Sequence, residues 1–392
     1  MLYLWPLVFV LAGLALYTVL GGADFGAGFW QLFASDDEIR DEAHHAMAPV
    51  WEANHVWLVF VLTVMWAAYP SAFGSIASTL SAPLFIAGIG IVLRGGAYAL
   101  RAGTRTVVEQ RHVDTVFSVS SILTPFALGT VVGGIAAGRV HVGNPGGSLV
   151  TSWLNPLSIT IGVLAVAVSA YMAAVFLSGD AARLGHRDLA ERFRTRALGA
   201  GLVAGAAAAV GIVVLHVDAD RTFTRLTHGA ATPSLAVSVL AGMATLALLW
   251  RRSYEPARYT AALAVAAIIA GWAVAQDPVL LPGLTIRQAA ASHDTLVAIV
   301  VSVLAGAVVL FPSLALLFRL TLRGTLRSGP EQEHATASAR PLRAGGVRLS
   351  VAFLVAGVGF LTVANAPWAH AIGVTCLFGF GVAGFRRLAT TT

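Results

Sequence analysis

Eleven long apolar stretches constrain the fold of this chain more than any motif. They lie at about 2–22, 50–69, 75–99, 116–137, 156–178, 197–216, 234–250, 259–276, 295–318, 347–363 and 368–385. Each is close to the roughly 20 residues that an α-helix needs to cross a bilayer. Hydrophobic residues make up 57% of the chain and charged residues only 11%, which is unlike a soluble domain. The sequence therefore predicts an all-α, polytopic integral membrane protein.

The arginines predict how these helices are oriented. All 25 basic residues are arginine, and 20 of them lie in the loops after odd-numbered spans and in the C-terminal tail. The loops after even-numbered spans hold only Arg139, Arg221, Arg225 and Arg287, and Arg94 lies inside a span. Because cytoplasmic loops carry the positive excess, the N-terminus is expected outside and the C-terminus in the cytoplasm. Arginines dispersed in this way indicate topology and contact with anionic lipid, and they argue against nucleic-acid binding.

The spans suggest five consecutive parts. We expect a first four-helix membrane unit at 1–138, a second at 156–277, a peripheral helix at 294–319, a polar cytoplasmic linker at 320–346 and two additional spans at 347–392. The first span lacks a basic leader, so it is expected to remain as a helix and not to be cleaved as a signal peptide. The pattern assigns no role to the last two spans.

Three ionisable residues, Asp24, Glu52 and Arg94, lie within or near the first three spans. The predicted orientation places all three toward the cytoplasmic face. A charge at membrane depth costs about 3 kcal/mol, so such residues often mark an ion or proton path. The alternatives are structural: Glu52 as a carboxylate favoured by the dipole at a helix N-terminus, and Arg94 in an ion pair with either acid.

The residues around Glu52 favour a role in proton handling. Asn54 and His55 supply polar relay groups, while Trp51 and Trp57 supply aromatic walls. The glycine-rich segment 20–28 resembles a phosphate-binding loop in composition only, because no strand precedes it. Its glycines are expected to form a tight helix end and to allow close packing around Asp24.

The chain offers no convincing redox or metal site. Of its eleven histidines, eight lie in or at the edges of loops, and His55, His216 and His370 lie near helix ends, so no facing pair lies deep in the bundle to ligate haem. The single cysteine, Cys376, excludes an intrachain disulfide and any multi-cysteine metal site.

Two segments carry a resemblance to a known family. Residues 22–28 (Gly-Ala-Asp-Phe-Gly-Ala-Gly) and 48–58 (Ala-Pro-Val-Trp-Glu-Ala-Asn-His-Val-Trp-Leu) resemble subunit II of the cytochrome bd family of quinol oxidases. Residues 154–156, 194–196 and 280–286 are also similar, so the resemblance covers roughly 1–322. The resemblance implies that about nine of the predicted helices belong to the family fold, which consists of two four-helix bundles and one peripheral helix. The last two predicted spans are additional to that fold.

The resemblance implies a heterodimer in a bacterial cytoplasmic membrane. Subunit I would hold the b and d haems and the quinol site, while this chain would bind no haem. The complex would oxidise quinol and reduce dioxygen to water with protons from the cytoplasm. A structural quinone or lipid in this chain stays open.

The family also implies roles for individual residues. Glu52 matches an acid on a proton route toward the haems, and we expect Asp24, Asn54 and His55 to belong to the same route. Trp57 matches a tryptophan beside a hydrophobic route for oxygen, with Trp51 nearby. Some relatives have Asp where this chain has Glu52 and Gln where it has His55.

Two other classes of function stay open at this point. A secondary transporter or channel would use Asp24, Glu52 and Arg94 to bind an ion or substrate, although such sites usually lie near the midplane on broken helices of paired repeats. A purely structural scaffold would tolerate Glu52→Gln without loss of turnover.

Overall fold

The computed structural model describes residues 1–33, 51–101, 103–104, 106–143 and 148–322, with short pieces at 352–353, 355–356, 372, 375–376 and 378–380. The chain divides into two units, Met1–Pro312 and Ser313–Thr392. Among the described residues, eight helical segments are long and apolar enough to cross a membrane, and Asn54–Ala68 adds a shorter apolar helix. The predicted all-α membrane architecture is confirmed.

The helices and turns come in the following order along the described chain. After a 3₁₀ turn at Leu2–Leu4 come α1 (Trp5–Leu16), a π-helical turn (Tyr17–Gly21), α2 (Gly22–Phe33), α3 (Trp51–Ala68), α4 (Pro70–Thr79), α5 (Ser81–Arg101), α6 (Val107–Ala136), α7 (Pro156–Arg183), α8 (Arg187–Asp218), α9 (Asp220–His228), α10 (Thr232–Trp250), α11 (Tyr254–Gln276), α12 (Ile286–Ala289) and α13 (His293–Leu322). Two short antiparallel strands, β1 (Val279–Leu281) and β2 (Leu284–Thr285), form a hairpin before α12.

The first span is longer than predicted, and the expected helix end at residues 20–28 is wrong. The chain stays helical from Leu2 to Phe33, and a π-helical turn takes the place of a break. The glycines serve close packing instead. A Cβ on Gly26 would lie 1.9 Å from the main-chain oxygen of Ser169 on α7. Small residues allow such approach of helix backbones in membranes.

The third predicted span, 75–99, is divided in the structure. Tyr69 leaves the helical region with φ −135° and ψ 61°, and Pro70 opens the short helix α4. The membrane-length helix α5 begins only at Ser81. Pro83 lies in the first turn of α5, where its missing N–H removes no intrahelical bond. Pro125 and Pro312 lie inside helices, α6 and α13.

The first helix lies in the middle of the first unit. Its second part, α2, packs against both α6 and α7, and α3 packs along α1. Ala27 of α2 shares an apolar cluster with Phe117 of α6 and Leu177 of α7. The polar side chains of α2 are therefore surrounded by other helices and not by lipid.

Several predictions concern residues beyond those described. The linker at 320–346 and the two additional spans at 347–392 lie almost entirely outside the described residues. The predicted division of the rest into two four-helix units and a peripheral helix stays a prediction.

Candidate functional site

Asp24 lies at the centre of a buried polar cluster. It occupies the first turn of α2 and is only 6% exposed. The side-chain amide of Asn54, on α3, donates to the Asp24 carboxylate and also to the main-chain oxygen of Leu20 at 3.3 Å. Asn54 itself is 4% exposed. A carboxylate taken out of water needs such partners, because an uncompensated one would be very costly.

Arg94 joins α5 to the same cluster. Its guanidinium is 2% exposed and donates through Nη2 to the main-chain oxygen of Asp24, at 2.8 Å. Through Nε it donates to the hydroxyl of Ser121 on α6, at 3.1 Å. The guanidinium carbon also lies 4.7 Å from the ring centre of Phe25 and 5.0 Å from that of Phe117. Hydrogen bonds and cation–π contacts thus stabilise this charge together.

The structure therefore brings together three of the residues singled out in the sequence. Asp24, just after the first predicted span, binds Asn54 of the second and Arg94 of the third. The contact between Arg94 and Asp24 uses the main chain of Asp24, so the ion pair proposed for Arg94 stays a prediction.

His55 and Trp57 lie beside this cluster on α3. The imidazole of His55 lies edge-on to the rings of Tyr17 and Phe25, with centres 6.1 and 6.0 Å apart. Trp57 lies edge-on to Phe60 at 6.5 Å and is half-buried.

Trp51 and Glu52 are placed only by their backbone. Both lie in the first turn of α3, and Glu52 precedes Asn54 by two residues. Their side chains fall outside the described residues, so the proposed roles of both stay predictions.

Sequence reasoning missed three polar residues of this region. Ser121 supplies a hydroxyl to Arg94, while Tyr17 and Gln31 are 6% and 3% exposed. One signal could have found two of them: Tyr17, Asp24 and Gln31 are spaced seven residues apart, which is about two helical turns. Polar residues at that spacing in an apolar helix indicate one buried face.

The sequence of this chain matches a known protein family. The family model for cytochrome bd terminal oxidase subunit II matches residues 1–321 of the chain. The chain belongs to this family. The resemblance predicted from residues 22–28 and 48–58 is thereby confirmed. The matched region ends close to residue 320, where the predicted linker begins.

Individual relatives of this bd oxidase subunit II support the assignment. Cytochrome bd ubiquinol oxidase subunit 2 of Bacillus subtilis (strain 168) is 29% identical over 113 residues, which are 29% of this chain and 33% of the relative. The putative cytochrome bd menaquinol oxidase subunit II of the same organism is 27% identical over 132 residues, 32% of this chain and 34% of the relative. The chain thus spans about a third of the length of the curated relatives it matches.

A solved structure shares the fold of this subunit II. The bd oxidase from Geobacillus thermodenitrificans contains a chain that superposes with a TM-score of 0.65 at 25% sequence identity. The similarity covers 82% of this chain and 99% of that chain.

Membership of the bd subunit II family implies that the haems lie in a partner subunit. Within the described residues, no group of three or more His, Cys, Asp or Glu side chains is arranged to hold a metal ion. The polar cluster around Asp24 offers hydrogen-bonding groups and one cation.

Proposed function

We propose that this chain is the haem-free subunit of a bd-type quinol oxidase in a bacterial cytoplasmic membrane, with its N-terminus outside. Its partner, subunit I, holds the b and d haems and the quinol site, where quinol is oxidised and dioxygen is reduced to water. Family membership supports the pairing, since the family is defined as one subunit of that oxidase. In this assembly the chain stabilises subunit I and supplies access routes for protons and oxygen.

The proton route is proposed to run through Glu52, Asp24, Asn54 and His55. The observation that carries this proposal is the burial of Asp24 against Asn54 and Arg94 inside an apolar bundle. A membrane helix keeps such a residue at a cost of a few kcal/mol, and by default it marks an ion or proton path. The backbone of Glu52 lies in the first turn of α3, two residues before the Asn54 that holds Asp24, and this supports its place in the proposed route.

The oxygen route is proposed to pass Trp57 and Trp51 on α3. One face of this helix is apolar and exposed in the isolated chain: Val56, Val59 and Trp66 are 53%, 61% and 65% exposed. Dioxygen partitions from lipid, so it needs only a dry passage along such side chains, whereas protons need polar groups and water.

Purification with a partner tests the assembly. A tag on this chain, expressed together with its adjacent genes, should recover a second membrane polypeptide that carries the optical spectrum of haems b and d. A colourless homo-oligomer that moves solute across vesicles would overturn the proposal in favour of a transporter.

Paired carboxylate variants test the proton route in the purified oxidase. Asp24→Asn and Glu52→Gln keep the side-chain shape but cannot carry a proton, so each should slow quinol-driven oxygen uptake several-fold with unchanged haem content. Asp294→Asn is the matched control, because this carboxylate is fully exposed at the start of α13. Full uptake in both Asp24→Asn and Glu52→Gln would refute the route and leave the assembly proposal intact.

A further inference from the structure

Gln31 is a buried amide without a hydrogen-bond partner among the described residues. Its side chain is 3% exposed near the end of α2, and within the described part of the chain neither its amide nitrogen nor its amide oxygen has a hydrogen-bond partner. A buried polar group left dry costs about 1–3 kcal/mol. Native proteins therefore satisfy such groups with protein atoms or with ordered water, which typically makes about three hydrogen bonds.

Tyr17 presents the same situation at the other side of Asp24. It is 6% exposed, and its hydroxyl also lacks a partner among the described residues. The Tyr17 ring lies edge-on to Phe25 and His55, which are the neighbours in sequence of Asp24 and Asn54. Tyr17 also begins the π-helical turn, a distortion that is frequent at functional sites.

A polar atom of α6 lies between Asp24 and Gln31. Gly28 falls between them on α2, and a Cβ there would come within 2.3 Å of the Ser121 hydroxyl oxygen. That hydroxyl accepts a hydrogen bond from Arg94, which itself donates to Asp24. Gly28 thus leaves room for Ser121 to continue the cluster of Asp24 toward Gln31.

An ion pair of α5 and α6 lies next in sequence to a residue that packs on the same apolar cluster as α2. Trp30, adjacent to Gln31, packs against the same apolar cluster as Val113. The next residue, Asp114, binds Arg101 at 2.9 Å, and both side chains are less than 15% exposed. This pair joins the end of α5 to the start of α6.

We propose that Gln31 and Tyr17 each bind an ordered water molecule, and that these waters extend the polar contacts of Asp24 in both directions along the first span. The inference rests on the proposed proton route and names two further positioning residues in it. Neither residue exchanges a proton itself: the Gln31 amide and the Tyr17 hydroxyl orient water that does.

A high-resolution map of the intact oxidase complex tests the water sites directly, without any measure of activity. The expected result is density for a water within hydrogen-bond distance of the Gln31 amide and of the Tyr17 hydroxyl. Dry side chains, or amide and hydroxyl groups that bond to protein atoms instead, would overturn the proposal whatever the proton route turns out to be.

Two conservative variants of the complete oxidase test the role in turnover. Gln31→Met and Tyr17→Phe keep the side-chain volume and lose the polar atoms, so oxygen uptake should fall several-fold and slow further in D₂O. Tyr69→Phe is the matched control, because its hydroxyl donates to the main-chain oxygen of Tyr3, away from the cluster. A purely structural role would change thermal stability and leave the D₂O effect at its original value.

The outcomes separate this inference from the proposed function. If Asp24→Asn slows uptake while Gln31→Met and Tyr17→Phe do not, the two waters carry no protons and only the further inference fails. If Asp24→Asn and Glu52→Gln are both fully active, the proton route itself fails. If a variant does not assemble, the map of the unmodified complex still shows whether the two water sites exist.

Discussion

The amide of Asn54 donates a hydrogen bond to the carboxylate of Asp24 and so joins α3 to α2 inside the bundle. The same amide also donates a hydrogen bond to the main-chain oxygen of Leu20, which lies one helical turn before Asp24. Both Asp24 and Asn54 are almost fully buried. Asn54 therefore has a structural role, because its amide stabilises a carboxylate that bulk water cannot reach. This role is separate from the relay role proposed for it.

Asn54→Leu should lower the stability of the subunit by about 1–3 kcal/mol, because it leaves the buried Asp24 carboxylate without this donor. The measurement is the thermal unfolding of the purified complex. In a double-mutant cycle with Asp24→Asn, the two changes should cost less together than the sum of each alone. Strict additivity would show that the bond does not couple the two helices.

Gly26→Ala should prevent stable packing of α2 on α7. Its Cβ would lie 1.9 Å from the Ser169 oxygen, a main-chain atom that cannot move aside without shifting the helix. Overpacking of this kind costs about 1–3 kcal/mol or more. The yield of folded complex from membranes measures the effect.

Gly205→Ala is the control for that experiment. Gly205 also lies in a helix, α8, but a Cβ there meets no atom within 4 Å. Since Ala is the better helix former by about 1 kcal/mol, the variant should be recovered at least as well as the unmodified protein. Equal recovery of both alanine variants would contradict the packing argument.

Arg94→Met should abolish assembly, because it removes the group that holds the main-chain oxygen of Asp24 and the hydroxyl of Ser121 together. Breaking a buried charged contact in this way costs about 3–5 kcal/mol. Size-exclusion profiles of the solubilised protein report the loss. Arg251→Met, at an exposed position after α10, should behave as the unmodified protein within about 0.5 kcal/mol.

Asn155→Ala should destabilise the start of α7. The Asn155 side chain accepts a hydrogen bond from the amide of Ser158 at 2.9 Å and so caps the helix. Losing such a cap costs about 1 kcal/mol, which calorimetry or a thermal shift assay can detect. Asp220→Ala should have almost no effect, since its contact with His216 is an exposed pair.

The sequence predicts the position of a helix end correctly where neighbouring residues alone decide it. The start of α7 at Pro156 agrees with the predicted span, because an Asn cap followed by Pro is a start signal within neighbouring residues. The end of the first span was misjudged, because glycines permit either a helix end or close packing. Only the contact of Gly26 with Ser169, far along the chain, decides between them.

The sequence alone predicts only some of the residues of the candidate site. Asp24 and Arg94 are conspicuous as charges in apolar surroundings, and the segment 48–58 identifies α3 by its residues. Ser121 is one of many small hydroxyl residues, so nothing in the sequence marks it as a partner of Arg94. Tyr17 and Gln31 belong to a seven-residue pattern whose meaning depends on which face of the helix is buried.

The sequence by itself determined that this protein spans a membrane many times and which family it resembles. Both follow from near-neighbour information: a bilayer demands about 20 apolar residues per helix, and the family segments are short. Only the tertiary structure decided that Arg94 binds the main chain of Asp24 and that α2 packs between α6 and α7. In lipid every helix surface is about equally apolar, so hydropathy cannot say which faces meet, and the contacts of small and polar residues decide it.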